Sequence, residues 1–186
     1  NFDAWDINNY YTEKSWPVDD VQSITVTENG PVRGCIRVER KYLDSTIVQY
    51  LYFYPELYRI DIRNEIDWKE KQILLRDYIP VDIHAAEATY EIQYGNVTRP
   101  THYNTSWDFA RFEVCAHKWI DISENGYGIS VLNNCKYGCD IHNGEIGLTM
   151  LKSAVYPNPD ADKEHHSFTW SIAPHEGGWR EGNTVA

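Results

Sequence analysis

The chain has 186 residues, of which 42% are hydrophobic and 14% aromatic, with seven Trp and fourteen Tyr. This apolar content excludes a disordered chain, and the length is sufficient for one domain with its own core. The formal net charge of -11 argues against a nucleic-acid partner, because phosphates repel an acidic surface. The sequence contains no run of about 18 apolar residues and no basic start followed by an apolar stretch, so it predicts neither a membrane span nor a secretion signal.

The first twenty residues are polar and aromatic without a clear period. We interpret residues 1–20 as a connector from a preceding region, docked by Trp5 and Trp16, and residues 21–186 as the main domain. The sequence starts without Met and ends on Val185 and Ala186 without a closing strand. It therefore reads as a piece of a longer protein, truncated at its C-terminal end.

Alternation of apolar and polar residues, with many β-branched and aromatic side chains, dominates the rest and is typical of half-buried strands. No stretch shows a sustained 3.6-residue apolar period, so little helix is expected. The fold class predicted is all-β, a large antiparallel β-sandwich. The predicted strands are Val21–Thr27, Gly34–Arg40, Ser45–Tyr54, Tyr58–Ile66, Lys71–Pro80, Ala88–Tyr94, Ala110–Ala116, Lys118–Ile122, Gly128–Leu132, Glu145–Lys152 and His166–Ile172.

Turn residues separate several of these strands. Asn-Gly pairs accept positive φ at low cost and so favour antiparallel hairpins. Turns are predicted at Glu28–Pro31, Tyr54–Glu56, Glu124–Gly126 and His142–Gly144, and a longer loop with two prolines at Tyr156–Lys163.

Four cysteines are present: Cys35, Cys115, Cys135 and Cys139. Nothing in the sequence indicates secretion, so reduced thiols in the cytoplasm are favoured over two disulfides. Cys135, Cys139 and His142 lie close together in sequence, but a structural zinc site prefers C-x2-C spacing and needs a fourth ligand. We therefore predict no metal and no cofactor in this chain.

Paired carboxylates could act in hydrolysis, but 28 acidic residues in one chain make such pairs unavoidable, and no catalytic residue is assigned. Aromatic side chains could instead stack on sugar rings, although most Trp in a β-sandwich fill the space between sheets. The candidates for such a platform are Trp16, Trp68, Trp107, Trp119, Trp170 and Trp179.

Four blocks carry a resemblance to a known family. They are FDAWDI at 2–7; DWKEK at 67–71 with Leu74-Leu75 and Ile79-Pro80-Val81; ATYEIQYG at 88–95 with RPTH at 99–102 and NTSWD at 104–108; and ARFEV at 110–114 with HKW at 117–119, GYG at 126–128 and LNNCKYG at 132–138. In their order and spacing they resemble the C-terminal β-sandwich region of glycoside hydrolase family 38 α-mannosidases, above all the cytosolic type. Two positions depart from the pattern: Asn134 stands where Asp is usual, and Lys152 where Arg is usual, which keeps the charge and loses the bidentate fork.

The resemblance implies a supersandwich of the galactose-mutarotase-like kind, without the catalytic barrel. It implies a parent glycosidase in mannose metabolism, a retaining α-mannosidase that hydrolyses terminal α-D-mannose residues from oligosaccharides. The nucleophile, the acid and a divalent metal, commonly zinc, would belong to an N-terminal catalytic domain, so the isolated chain is predicted inactive. The implied partners are the parent's own catalytic and helical domains, a mannose-containing oligosaccharide and further copies in a homo-oligomer.

A supporting role next to the catalytic domain follows from the same resemblance, with one loop lining a wall of the cleft. The wall residues predicted are Asn133, Asn134, Lys136, Tyr137 and, as a second choice, Lys152. A structural role is predicted for Trp68, Asn104, Trp107, Asp108 and Arg111, with Asn and Asp satisfying buried backbone groups and Arg pairing with a carboxylate. Two alternatives stay open, an autonomous carbohydrate-binding module and a purely structural interface domain.

Overall fold

A computed structural model of the chain describes residues 3–185; Phe2 of the first sequence block, with Asn1 and Ala186, lies outside the described residues. The chain falls into two compact units. The first comprises Asn1–Leu75 and Leu151–Thr169, and the second Arg76–Met150 and Trp170–Ala186. The last strand of the chain, His165–Glu176, contributes its first residues to one unit and the remainder to the other.

The first unit is built on a four-stranded antiparallel meander. Its strands are β1 (Asp20–Asn29), β2 (Gly34–Tyr42), β3 (Ser45–Tyr54) and β4 (Leu57–Asp67), each paired with the next. The turns between β1 and β2 and between β3 and β4 fall where the sequence predicts them. Ile47, Ile62 and Ile66 are buried on one face of the meander and form its core with Trp68, which follows β4.

The second unit contains two antiparallel sheets. Its strands, in chain order, are β5 (Leu75–Pro80), β6 (Glu87–Ile92), β7 (Gly95–Pro100), β8 (Val114–Cys115), β9 (Trp119–Glu124), β10 (Tyr127–Asn133), β11 (Gly138–His142), β12 (Glu145–Leu151) and β13 (His165–Glu176). One sheet has the order β13-β10-β9-β6-β7, and the other β5-β12-β11-β8.

The two sheets of this unit face each other across an apolar layer. Ile120 and Val131 from the first sheet, and Ile141 and Leu148 from the second, are at most 2% exposed. Tyr90 of β6 hydrogen-bonds to the backbone of Ile141 on β11, and its burial raises the pKa of the phenol. The predicted antiparallel β-sandwich is therefore confirmed. So is the low helix content, since the described part has one four-residue α-helix, α1 (Ser106–Phe109), and a short 3-10 helix at Asn9–Glu13.

Two strands were not predicted. β7 is polar and ends in Pro100, but it is the edge strand of its sheet, where missing backbone donors and polar side chains are tolerated. β11 alternates in the usual way, but Gly138, Asp140 and His142 on its second face conceal the pattern, because that face meets a polar partner described below.

The predicted strand Ala110–Ala116 is wrong except for Val114–Cys115. A capping box starts helix α1 just before it, with the Thr105 side chain accepting from the Asp108 backbone and the Asp108 carboxylate accepting from the Thr105 backbone. The strand predicted from Lys71 begins only at Leu75.

The N-terminal segment is held mainly by polar contacts, above all those of the Asp3 carboxylate. Trp5 and Trp16 are 66% and 54% exposed, and the Trp5 ring lies 6.0 Å from that of Tyr156, whereas the ring of Trp16 lies under Lys14 of the same segment. Asp3 accepts backbone hydrogen bonds from Val155 at 3.1 Å and Tyr156 at 3.0 Å. The Val155 bond is the largest influence that lowers the pKa of Asp3.

Candidate functional site

The segment from Thr101 to Glu113 covers one face of the β5-β12-β11-β8 sheet. The ring of Tyr103 stacks on His142 of β11 with the centroids 4.1 Å apart. At the other end of the segment, Thr149 of β12 donates from Oγ1 to Glu113 Oε1 at 2.6 Å. The sheet is therefore buried on both sides, by its partner sheet and by this cover segment.

A charged cluster lies beneath the cover segment. The Arg76 guanidinium on β5 reaches Asp140 on β11 and lies 3.5 Å from Glu113 Oε2. The side chains of Arg76, Glu113 and Asp140 are 3%, 8% and 12% exposed. Burial raises the pKa of Asp140, and the Arg76 charge opposes that rise. The cluster places one cation between two carboxylates in a poorly hydrated position.

Gly147 makes this ion pair possible. Strand β12 lies between β5 and β11, so the Arg76 side chain must pass over it to reach Asp140. A Cβ at Gly147 would lie 2.4 Å from Arg76 Nη2 and 2.6 Å from Asp140 Oδ1, closer than real side chains approach. Gly in a strand interior marks such close approaches, and here it leaves the path for a guanidinium.

Aromatic rings line the rim of this cluster. Tyr78, whose ring lies 5.1 Å from the Arg76 guanidinium carbon, is 50% exposed, and Tyr103 is 38% exposed. Burial raises the pKa of Tyr103 to about 12, so its phenol stays protonated at neutral pH. Phe109 of α1 contacts Tyr103 edge-on at 5.7 Å. The rim thus presents partly exposed ring faces on a firmly held support.

The predicted wall loop connects β10 of one sheet to β11 of the other. Asn133 fixes its start, because its side chain donates to the His117 carbonyl at 2.9 Å and accepts from the Lys136 backbone at 2.7 Å. Lys118 Nζ donates to the Asn134 carbonyl at 3.0 Å. Tyr137 is 48% exposed, with its ring 5.3 Å from that of His117. The structure brings these four predicted residues together in one anchored loop with an exposed tip.

Lys152, the fifth predicted wall residue, belongs to the other unit. Its Nζ donates to the Asp6 carbonyl, and its backbone N–H donates to Asp162 Oδ2 at 3.1 Å. In this structure its ammonium group holds the N-terminal segment.

The residues predicted to be structural lie in different surroundings. Trp68 is 1% exposed, donates from Nε1 to Ser153 Oγ at 2.9 Å and stacks on Tyr42. Asp108 caps α1, and its largely buried carboxylate lies 3.9 Å from Nη1 of the exposed Arg111. Trp107 is 78% exposed and Asn104 is exposed, so neither contributes buried packing in the part of the chain that is described.

The remaining candidates for chemistry are accounted for as follows. All four cysteines are free, with Cys35 and Cys139 buried, and burial raises the pKa of Cys139 to about 12. A thiol so rarely ionised is a poor nucleophile or metal ligand. Within residues 3–185 no three His, Cys, Asp or Glu side chains group to hold a metal ion. Among the Trp proposed as a sugar platform, Trp68, Trp119 and Trp170 are buried.

Comparison with known proteins places the chain in a family of glycoside hydrolase domains. Residues 1–160 match the family model described as "Glycosyl hydrolases family 38 C-terminal domain". The chain therefore belongs to the family 38 C-terminal domain family, as the four sequence blocks predict. No helix in the described residues is long and apolar enough to cross a membrane.

Curated relatives match almost the whole chain. It is 40% identical over 190 residues to Alpha-mannosidase G of Dictyostelium discoideum. This match covers 99% of this chain and 17% of that protein. It is 36% identical over 186 residues to Alpha-mannosidase 2C1 of Homo sapiens, covering 99% of this chain and 18% of the relative. The chain thus spans less than a fifth of the length of these relatives.

Among solved structures, the fold is similar to that of an alpha-mannosidase from Enterococcus faecalis V583. The TM-score is 0.79 at 15% sequence identity, over 89% of this chain and 23% of that chain. This likeness supports the fold described above.

Sequence reasoning missed the Arg76 cluster. Glu113 and Asp140 lie 37 and 64 positions after Arg76 along the chain, and no local pattern connects the three residues. Two sequence features are consistent with it: a charged residue directly after the apolar pair Leu74-Leu75, and Gly147 in the interior of a predicted strand.

Proposed function

We propose that this chain is the non-catalytic β-sandwich domain of a retaining α-mannosidase that hydrolyses terminal α-D-mannose residues from oligosaccharides. The observation that carries the proposal is the match of residues 1–160 to the family 38 C-terminal domain. The curated relatives named above are α-mannosidases several times longer than this chain, which supports placing it in a larger enzyme.

In this proposal the hydrolytic chemistry lies outside the chain. A catalytic domain supplies the nucleophile, the acid and a divalent metal, with zinc favoured, and no residue of this chain is given those roles. The four free thiols fit a reducing compartment, and we propose a cytoplasmic parent on that basis. The domain supports the catalytic domain, and the loop of Asn133, Asn134, Lys136 and Tyr137 lines one wall of the substrate cleft.

The anchoring of the loop supports this wall role. Asn133 uses both ends of its amide to hold the loop, so the exposed Asn134 side chain and Tyr137 ring stand on a fixed backbone. A preorganised polar loop loses little conformational entropy when it meets a sugar. For Lys152 we propose an anchoring role, because its ammonium group is engaged by the Asp6 carbonyl.

The test is hydrolysis of an aryl α-mannoside by the full-length protein and by this chain alone, each with and without added zinc or cobalt. The expected result is activity in the full-length protein only. Tyr137→Ala should lower its kcat/KM by roughly tenfold, the loss of one good sugar contact. Tyr127→Ala is the matched control, because Tyr127 is 42% exposed at the β9–β10 turn.

Equal kcat/KM values for Tyr137→Ala and Tyr127→Ala would mean that the loop does not line the cleft and that the domain has a purely structural role. Turnover by the isolated chain would overturn the non-catalytic assignment itself. Inactivity of the full-length protein towards α-mannosides would sink the proposed enzyme class.

A second candidate, a carbohydrate-binding module, is favoured by the aromatic rim of Tyr78, Tyr103 and Phe109 beside the charged cluster. Such rings can stack on pyranose faces. Calorimetric titration of this chain with mannose oligosaccharides tests this second candidate. Binding that is abolished by Tyr103→Ala would favour a carbohydrate-binding module over the wall role of the loop.

A further inference from the structure

One face of the β1–β4 meander carries apolar side chains beyond the part that is buried. Residues directly opposite each other in an antiparallel pair project from the same side of the sheet. The register places Val26 opposite Ile36, and Ile36 opposite Leu51. We define the open apolar face as the side chains that share this side near the β1 edge. These are Val21, Ile24 and Val26 of β1, Ile36 of β2, and Leu51 and Phe53 of β3.

These side chains remain accessible in the structure. Ile24 and Val26 are 66% and 68% exposed, Val21 is 44% exposed and Phe53 is 36% exposed. The face is continuous with the core, because Ile24 lies opposite the buried Val38, and Leu51 opposite the buried Ile62. Through Ile36 and Leu51, the buried core of the meander therefore extends into an uncovered apolar surface, next to a hydrogen-bonded polar group of Arg40, Gln49 and Asn64 on the same face.

The other face of the same strands is built for water. It carries salt bridges along the strands, Arg37 with Glu39 at 2.7 Å on β2 and Arg63 with Glu65 on β4. Arg33 lies over the Tyr52 ring at 4.4 Å. Most charged residues of these strands thus lie on this side, and most apolar residues on the other, where Arg40 is an exception that lies opposite Val21 and donates to Gln49 Oε1 at 2.7 Å. This is the pattern of a sheet covered on its apolar side. A contiguous exposed apolar patch of this kind marks an interaction surface.

A second copy of this chain is a poor occupant of that surface. Each copy carries a formal net charge of -11, so two copies repel. Pairing through the adjacent edge strand is also disfavoured, because β1 has register shifts between Val21 and Ser23 and between Val26 and Glu28. Such irregularities twist an edge strand away from extended pairing.

The lengths of the relatives point to a different occupant. Each match includes 99% of this chain but only 17% or 18% of the relative, so most of each relative lies outside the matched part. We propose that the open apolar face is the docking surface for an apolar segment from elsewhere in the same, longer polypeptide. This rests on the proposed function and agrees with the interface role that the sequence leaves open.

The experiment uses the full-length protein with the double substitution Ile24→Ser and Val26→Ser. Loss of a docked apolar contact should shorten the half-life of thermal inactivation at least about fivefold. Limited proteolysis should cleave the double variant faster than the unmodified protein. The control is Val32→Ser, since Val32 is 78% exposed in the β1–β2 turn and lies off the face.

The same double substitution in the isolated chain separates docking from simple misfolding. Its Tm should change by less than about 2 °C, since these side chains are exposed there. A large loss of Tm in the isolated chain would mean that the face is already covered from within, and would overturn the proposal. So would an unchanged full-length protein, or a concentration-dependent dimer of the full-length protein that the substitution dissociates.

The two proposals fail separately. If the full-length protein lacks α-mannosidase activity but its double variant is still cleaved faster than the unmodified protein, the proposed enzyme is refuted and the docking surface is retained. If the enzyme is active and its double variant has the same inactivation half-life and proteolysis rate as Val32→Ser, the docking surface is refuted and the proposed enzyme is retained.

Discussion

Removal of the Arg76 charge should strongly destabilise the chain. The side chains of Arg76, Glu113 and Asp140 are at most 12% exposed, so screening by water is weak. At the 3.5 Å between Arg76 and Glu113, an effective dielectric of about 20 gives an attraction of roughly 5 kcal/mol before desolvation is subtracted. Since Arg76→Leu leaves two buried carboxylates without a cation, we expect a loss of about 3–5 kcal/mol in the free energy of unfolding.

The loss should depend on pH in a defined direction. Burial raises the pKa of Asp140 in the folded chain, so its contribution to stability is present at low pH and lost as the pH rises through that folded pKa. Without Arg76 the folded pKa of Asp140 rises further. The difference between Arg76→Leu and the unmodified chain should therefore be largest near pH 7 and shrink as the pH falls towards the ordinary carboxyl pKa of about 3.9.

Urea unfolding followed by Trp fluorescence at pH 7 and pH 5 measures both effects. Arg63→Leu is the matched control, because Arg63 is 51% exposed and pairs with Glu65 at the surface, and its loss should cost less than about 1 kcal/mol. Adding Asp140→Leu to Arg76→Leu should restore part of the stability by removing one unpaired charge. A loss under about 1 kcal/mol for Arg76→Leu, equal at both pH values, would refute the reasoning and mean that water reaches the carboxylates.

Two further predictions follow from close contacts. Gly147→Ala places a Cβ 2.4 Å from a guanidinium nitrogen and should lower the free energy of unfolding by about 1–3 kcal/mol in the same assay. The control Gly95→Ala has nothing within 4 Å of its Cβ and should be neutral or slightly stabilising. Equal free energies of unfolding for the two variants would contradict the packing around Gly147. Asp3→Ala should speed amide hydrogen exchange at the backbone N–H groups of Val155 and Tyr156, which donate to the Asp3 carboxylate. Below the lowered pKa of Asp3 the carboxylate is protonated, so the unmodified chain should then exchange as fast as the variant. Slow exchange in the Asp3 variant would mean that other contacts hold the N-terminal segment.

The hairpins could be predicted because their signals are local. Alternation and an Asn-Gly pair place the β9–β10 turn at Gly126, which has φ +97°, and the β11–β12 turn at Asn143 and Gly144, both of which have positive φ. Each turn is specified within four residues by conformations that Gly and Asn adopt at low cost. The β6–β7 turn was missed because Tyr94 supplies its positive φ, an uncommon choice for a bulky residue.

The cover segment could not be predicted from local pattern. Ala110–Ala116 alternates like a strand, but most of it does not pair with one, because Glu113 is drawn towards Arg76 and Thr149. Those partners are distant in sequence, and a tertiary contact overrides the local preference. The placement of the wall loop next to residues 116–118 also depends on distant hydrogen bonds, while its existence as a loop is visible in the sequence.

The cover segment and the wall loop are one mechanical assembly. The cover segment leads directly into β8, where Cys115 pairs with Gly138, the first residue of β11 after the wall loop. The Ala116 backbone donates to the Tyr137 carbonyl at 2.9 Å, which binds the two segments again inside the loop. Any shift of the cover over its buried charges must therefore displace the Tyr137 backbone. Residues that look purely structural in this stretch can thus set the position of the proposed wall loop, so a structural role for the cover segment is compatible with the proposed wall role.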